Sequence, residues 1–303
     1  MSKDKPETAS EAERARGDER VGSMWSDAFR ELRKRPTVIG SVAVLLVVYS
    51  MAAFPRLWTS ASPRGCNTAD SRLRPSAEHI FGMDRYGCDY YAMVVYGSRP
   101  TVILTLVVTV VSLTLAIFFG SLAGYYGGWV DAVISRILEI FMSVPFLLGA
   151  VLVIALFREW ADTILPLALV LAAFGWMGDT RLLRSKVIEI KNFDFVHAAR
   201  ALGASDSRIM FRHILPGALP PVVALLPLTL AGIVSAEATL SFLGLGLQPP
   251  AISWGIMINR AAPDFLGGTY YLLLIPTTFL LAVIMAFILL GDALRDALDP
   301  KLR

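Results

Sequence analysis

Two acidic residues, Glu139 and Glu237, stand inside long apolar runs of the sequence. A charge in hydrocarbon is costly, so each carboxylate is a candidate for lining a translocation pathway or for coupling transport to protons. Arg136 precedes Glu139 by about one helical turn, which favours a local ion pair there. Glu237 has small neighbours, which indicates close helix packing around a polar group. The sequence leaves open whether Glu237 lines a pathway or hydrogen-bonds across helices.

Motifs for nucleotide, metal or nucleophilic chemistry are absent from the sequence. No lysine follows a glycine, so the usual phosphate-binding loop is missing. The three histidines form no His-Glu-x-x-His pattern, no Cys-x-x-Cys occurs, and no Gly-x-Ser-x-Gly elbow occurs. We therefore predict a non-catalytic chain with no metal site and no cofactor of its own. Any energy from ATP must come from a partner.

A polar, helix-forming segment at 197–216, HAARALGASDSRIMFRHILP, lies between long apolar runs. Its small residues favour a helix that ends near Gly203. Ser205 is a predicted N-cap with Asp206 behind it, where an acid suits the helix dipole. Pro216 is predicted to close the unit. A membrane protein that keeps such a segment between two spans presents it to something soluble, although an ordinary amphipathic loop is the simpler alternative.

The composition is that of an integral membrane protein. Hydrophobic residues make up 55% of the 303 residues and the mean hydropathy is +0.59, above the usage typical of soluble domains. Six apolar runs are long enough, or nearly so, to cross a bilayer, which predicts an all-α protein with six transmembrane helices. The runs are 38–54, 101–124, 137–157, 164–177, 219–247 and 270–290, of which the fourth is the shortest.

The distribution of basic residues predicts that both termini are cytoplasmic, since most lysines and arginines then fall inside. The net charge of +3 reflects this bias and gives no reason to expect nucleic acid. The predicted parts are a cytoplasmic tail with an interfacial helix (1–36), a first transmembrane helix (37–54), an extracytoplasmic loop (55–99) and a core domain (100–303) with five transmembrane helices and a cytoplasmic loop at 179–218.

Both cysteines, Cys66 and Cys88, fall in the long loop that this topology places outside the cell. Two cysteines in one oxidising compartment favour a disulfide. Two unpaired thiols remain the alternative.

The sequence resembles a known transporter family. The segment 197–216 is similar to the cytoplasmic EAA loop of permease subunits of ATP-binding-cassette (ABC) importers, with Ala198, Ala199, Gly203 and Pro216 in place but His197 where the motif has Glu. Residues 81–102, 238–255 and 291–300 resemble the dipeptide/oligopeptide branch, specifically its C-type permease. Many of these relatives have Arg where this chain has Cys88, which strengthens the disulfide hypothesis.

The resemblance implies the type I importer permease fold in a bacterial inner membrane, with the chain as one half of a peptide import pathway. The implied partners are a homologous B-type permease, two cytoplasmic ATPase subunits that bind ATP and magnesium, and an extracytoplasmic substrate-binding protein. The residues implied to couple to the ATPase are His197, Ala198, Ala199, Leu202, Gly203, Ala204, Asp206, Arg208 and Pro216.

Two alternatives stay open. One is a secondary transporter driven by an ion gradient, with Glu237 or Glu139 as the coupling residue. The other is an ABC permease of the same branch that carries nickel or haem, because the sequence does not decide the substrate.

Overall fold

A computed structural model describes residues 29–157, 163–248 and 250–298. Within these ranges the chain is helical and forms no β-strand; one isolated bridge joins Met83 and Asp89. We number the helices α1 to α10 in chain order. They are Pro36–Ala53, Pro55–Trp58, Tyr90–Tyr126, Gly128–Ser143, Phe146–Leu156, Leu165–Lys191, Asp194–Ala201, Asp206–Phe242, Trp254–Ala261 and Tyr271–Leu298.

The four helices α1, α3, α8 and α10 are long and apolar enough to cross a membrane. A fifth span is obtained if α4 and α5 are counted as one broken span. Helix α3 begins at Tyr90, so residues 90–99 of the predicted outer loop are helical. Of the predicted interfacial helix, residues 29–32 are helical, and Trp25 lies outside the described residues.

The third predicted span, over 137–157, is not a single straight helix. The chain bends by 91° between α4 and α5. Val144 is extended (φ −84°, ψ 120°) and Pro145 follows it as the N-cap of α5. The proline ring disfavours a helical conformation in the residue before it, so the helix ends even though the apolar run continues.

Helix α6 covers the fourth and shortest predicted span and continues to Lys191. It packs along α3 in the most extensive helix pair of the described chain. Two glycines one turn apart on α3 allow this close approach. A β-carbon on Gly124 would lie 2.7 Å from the Cβ of Val187, and one on Gly120 would lie 3.0 Å from the carbonyl oxygen of Thr180.

A bidentate ion pair adds to this packing at the end of the bundle near α7. The guanidinium of Arg184 on α6 donates two hydrogen bonds to the carboxylate of Asp131 on α4, one of them at 2.5 Å. Because the planar guanidinium matches the carboxylate in two places, the pair fixes the direction in which α4 leaves α3.

The segment between α2 and α3 forms a small cap at the opposite end. Cys66 and Cys88 are joined by a disulfide, with Cα atoms 4.1 Å apart. The carboxylate of Asp84 accepts hydrogen bonds from the amides of Tyr86 and Cys88, both at 2.8 Å. The Tyr271 hydroxyl, at the start of α10, lies 3.0 Å from the Leu73 carbonyl oxygen and ties the cap to the bundle.

Candidate functional site: the exposed α7 segment

Helix α7 is held to the bundle by one face. Val196 is completely buried and packs in a cluster with Val187, Ile209 and Ile214 from α6 and α8. Residues on the other side of the helix, including His197 and Ala198, are exposed. The helix therefore has a fixed position and a free outer surface.

The turn after α7 is defined by its backbone. Gly203 has φ +81°, a conformation that favours glycine, and the amide of Ala204 donates to the carbonyl of Ala199 at 3.1 Å. The Ser205 hydroxyl then accepts from the amide of Arg208 at 3.4 Å and caps α8, as the sequence predicted. The turn projects Leu202, whose side chain is 88% exposed.

The residues predicted for ATPase coupling are spread over this segment. Exposed are His197, Ala198, Leu202, Gly203, Asp206, Arg208 and Pro216, whereas Ala199 and Ala204 are half-buried. An apolar side chain as exposed as Leu202, within a turn of fixed geometry, is suited to insertion into a groove on another protein.

The prediction that Pro216 closes the helical unit is wrong. Helix α8 continues through it to Phe242. Residues Ile209–Ile214 form a π-helical turn, in which the amide of Leu215 donates to the carbonyl of Met210, five residues back. Because proline has no amide donor, the wider turn absorbs the missing bond and the helix goes on.

Tyr125, at the end of α3, is a contact that the sequence analysis missed. Its hydroxyl donates to the Asp206 carboxylate at 2.5 Å, and the Lys191 ammonium donates to its carbonyl oxygen. The guanidinium of Arg200, on α7, lies 6.0 Å from the centre of the tyrosine ring. One residue thus contacts α6, α7 and α8. The only signal was the Tyr-Tyr-Gly-Gly run at 125–128, which marks a helix end.

The two pathway candidates lie in different surroundings. Glu139, on α4, is exposed and pairs with Arg136 at 3.0 Å. Glu237, on α8, is completely buried and accepts hydrogen bonds from Thr101 (3.2 Å) and Ser241 (2.9 Å). Both oxygens of Glu237 are therefore engaged between α3 and α8. Among the described residues, no cluster of three or more His, Cys, Asp and Glu could hold a metal ion.

The fold and this segment define a helical protein of the membrane with a structured, exposed segment at one end. Residues 116–303 match the family of binding-protein-dependent transport system inner membrane components. The chain belongs to that family, whose members are non-catalytic permease subunits of ABC importers in the bacterial cell membrane.

Relatives match over nearly the whole chain. The dipeptide transport system permease protein DppC of Bacillus subtilis is 34% identical over 93% of this chain and 87% of its own length. The dipeptide transport system permease protein DppC of Alkalihalophilus pseudofirmus is 36% identical over 93% of this chain and 91% of its own length. The oligopeptide transport system permease protein OppC of Bacillus subtilis is 32% identical over 93% and 91%.

The fold is also similar to that of a chain in a solved ABC transporter. A chain from the inward-facing MetNI methionine ABC transporter superposes with a TM-score of 0.55, covering 68% of this chain and 96% of that one at 21% identity. The likeness is one of fold.

Proposed function

We propose that this chain is the C-type permease of an ATP-driven importer of dipeptides or oligopeptides and forms half of the translocation pathway. The peptide substrate is supported by the relatives, which are described as dipeptide and oligopeptide permeases. The other half is a homologous B-type permease. Two cytoplasmic ATPase subunits hold ATP and magnesium, and an extracytoplasmic binding protein delivers the peptide.

The observation that carries the coupling proposal is the contrast between Val196, completely buried, and Leu202, 88% exposed. One anchors the segment and the other is free to enter a partner. ATP-driven closure of two ATPase subunits pushes on such a segment, and the rigid turn at Gly203 transmits the movement to α8. The residues His197 to Ala204 form the contact, with Asp206, Arg208 and Pro216 at its edge.

We further propose that α6 crosses the membrane, which brings the number of spans to six and puts both termini in the cytoplasm. Its 27 residues give a length of about 40 Å, more than a hydrocarbon core requires. Its apolar half, from Leu165 to Met177, packs on α3 and α5. The charged half, from Asp179 to Lys191, extends beyond the membrane toward α7.

The coupling proposal is tested with Leu202→Asp. A carboxylate at this position is well solvated in the isolated permease but is desolvated in an apolar groove, so we expect the variant to insert normally and to lose co-purification with the ATPase subunits. Leu73→Asp, also exposed but in the outer cap, is the matched control. Normal co-purification and normal uptake by Leu202→Asp would rule out this contact.

The substrate is tested by competition. In a strain that lacks the chromosomal copy, uptake of a labelled dipeptide is measured against unlabelled dipeptides, longer peptides, nickel and haem. Competition by peptides alone supports the proposal, whereas competition by nickel or haem favours the other members of the branch. Uptake that persists without ATP and stops with a proton uncoupler would support a secondary transporter instead.

A further inference from the structure

A basic cavity of about 730 Å³ opens beside the outer cap. Three arginines line it from three parts of the chain: Arg56 from α2, Arg64 from the loop before the disulfide, and Arg99 from α3. None of the described residues that line the cavity is acidic. Three positive charges in one concave site require an anion or water, and guanidinium groups are well shaped for phosphate oxygens.

Contacts within the protein leave most of the hydrogen-bond donors of the three arginines available. Arg64 donates one hydrogen bond to the carbonyl of Pro250 at 3.2 Å, which orients its side chain across the cavity. Neither Arg56 nor Arg99 has an ion pair with any described acidic residue. All three side chains are exposed to solvent, so water solvates them in the isolated chain, and an anionic ligand in the cavity would balance their charge.

The position of the cavity indicates which kind of anion binds there. Helix α1 ends at Ala53, and Arg56 follows within one turn. Arg99 lies two residues before the apolar run that starts at residue 101 of α3. Both arginines therefore lie where apolar spans meet the polar cap, which is the depth of lipid phosphates in a bilayer.

Apolar residues adjoin Arg56 in the sequence, just outside the set that lines the cavity. Leu57, next to Arg56, is 80% exposed and Phe54 is 62% exposed. Trp58 follows them, an aromatic residue typical of the membrane interface. A ligand with a phosphate for the arginines and acyl chains for these side chains fits both parts, which a soluble peptide carboxylate or free phosphate does not.

We propose that this cavity binds the phosphate of an anionic phospholipid, such as phosphatidylglycerol, from the leaflet on the disulfide side. The lipid links α2, the loop that holds Arg64, and α3 at the rim of the bundle. This site is separate from the exposed α7 segment, and it does not depend on which peptide is transported.

The test is photolabelling of the purified complex in phosphatidylcholine nanodiscs that contain a photoactivatable phosphatidylglycerol. We expect label on peptides that contain residues 55–64 and 96–100. The triple variant Arg56→Gln, Arg64→Gln, Arg99→Gln should lower this labelling at least tenfold, since each lost charge-assisted hydrogen bond alone costs roughly that factor. Arg74→Gln removes the same charge from the cap outside the cavity and should leave the labelling unchanged.

Competition separates the sources of the anion. Unlabelled phosphatidylglycerol should displace the label, while inorganic phosphate and a dipeptide should not. Displacement by inorganic phosphate would overturn the lipid assignment, and displacement by the dipeptide would make this a peptide subsite. Equal labelling of the triple variant and Arg74→Gln would overturn the proposal altogether. If the triple variant does not fold, Arg99→Gln alone is used, with retention of the Cys66–Cys88 disulfide as the check on folding.

Discussion

The hydroxyl of Tyr125 donates a 2.5 Å hydrogen bond to the carboxylate of Asp206, which joins the end of α3 to the first turn of α8. Asp206 lies directly after the cap that starts α8, next to the exposed turn at Gly203. A push on that turn therefore reaches two spans at once. Hydrogen bonds to a charged acceptor contribute more than neutral ones, so this contact is strong for its size.

Tyr125→Phe removes the hydroxyl and keeps the ring. We expect the protein to insert and to bind the ATPase subunits, because the exposed face of α7 is unchanged. Uptake should fall several-fold while ATP hydrolysis continues, which is uncoupling. Tyr126→Phe, at the 57% exposed neighbouring position, is the matched control. Unchanged uptake by Tyr125→Phe would show that the contact carries no coupling.

The effect of a substitution at Gly203 should depend on the backbone conformation there and not on the space available for a side chain. A β-carbon there would meet nothing within 4 Å, but φ is +81°. Asparagine tolerates this conformation better than a β-branched residue, so Gly203→Asn should retain more uptake than Gly203→Val. The strain in the valine variant is about 1–2 kcal/mol, and thermal unfolding measures it. The opposite order would contradict the role of the left-handed turn.

Gly124→Leu should destabilise the pair formed by α3 and α6. The new side chain collides with Val187 and with the carbonyl of Arg184, which is backbone and cannot move aside. We expect poor expression or a large fall in the thermal midpoint. Gly178→Leu, on α6 where nothing lies within 4 Å, should be tolerated. The pair of variants separates a packing effect from a general effect of added bulk.

We expect Glu237 to act in the peptide importer as a buried hydrogen-bond acceptor that stabilises the packing of α3 and α8. Glu237→Gln keeps an oxygen for Thr101 or Ser241, and uptake should stay within about twofold of the parent because one hydrogen bond contributes little net free energy. Glu237→Leu leaves both hydroxyls unpaired and should cost about 1–3 kcal/mol of stability. Complete loss of uptake in a stably folded Glu237→Gln variant would point to proton coupling.

Loss of the disulfide should loosen the cap between α2 and α3. It closes a sequence separation of 22 residues, for which the chain-entropy model gives about 3 kcal/mol. The double variant Cys66→Ser, Cys88→Ser should expose residues 59–88 to limited proteolysis. Reduction of the parent protein should reproduce this result, and a Ser62→Ala variant should not.

The long spans could be predicted from sequence because α1, α3, α8 and α10 are each apolar over a length that is rare outside membrane-spanning helices. The Ser205 cap could be predicted as well, since its signal is local. The break at Pro145 was overlooked because the apolar run continues across it. The contact between Tyr125 and Asp206 could not be predicted, because 81 residues separate the partners and their meeting depends on how α3 and α6 pack. The burial of both oxygens of Glu237 depends likewise on helix packing.

The π-helical turn at Ile209–Ile214 also sets an angle. One extra residue in a helical turn rotates what lies before it by roughly 100° about the helix axis relative to what lies after it. Asp206 stands before this turn and Glu237 after it. The turn therefore sets the angle around the α8 axis between the side of α8 that contacts Tyr125 and the side that carries the buried carboxyl of Glu237. A single-residue deletion within 209–214 would restore regular α-helical phase and rotate the exposed α7 segment around the axis of α8 without altering any residue in α7.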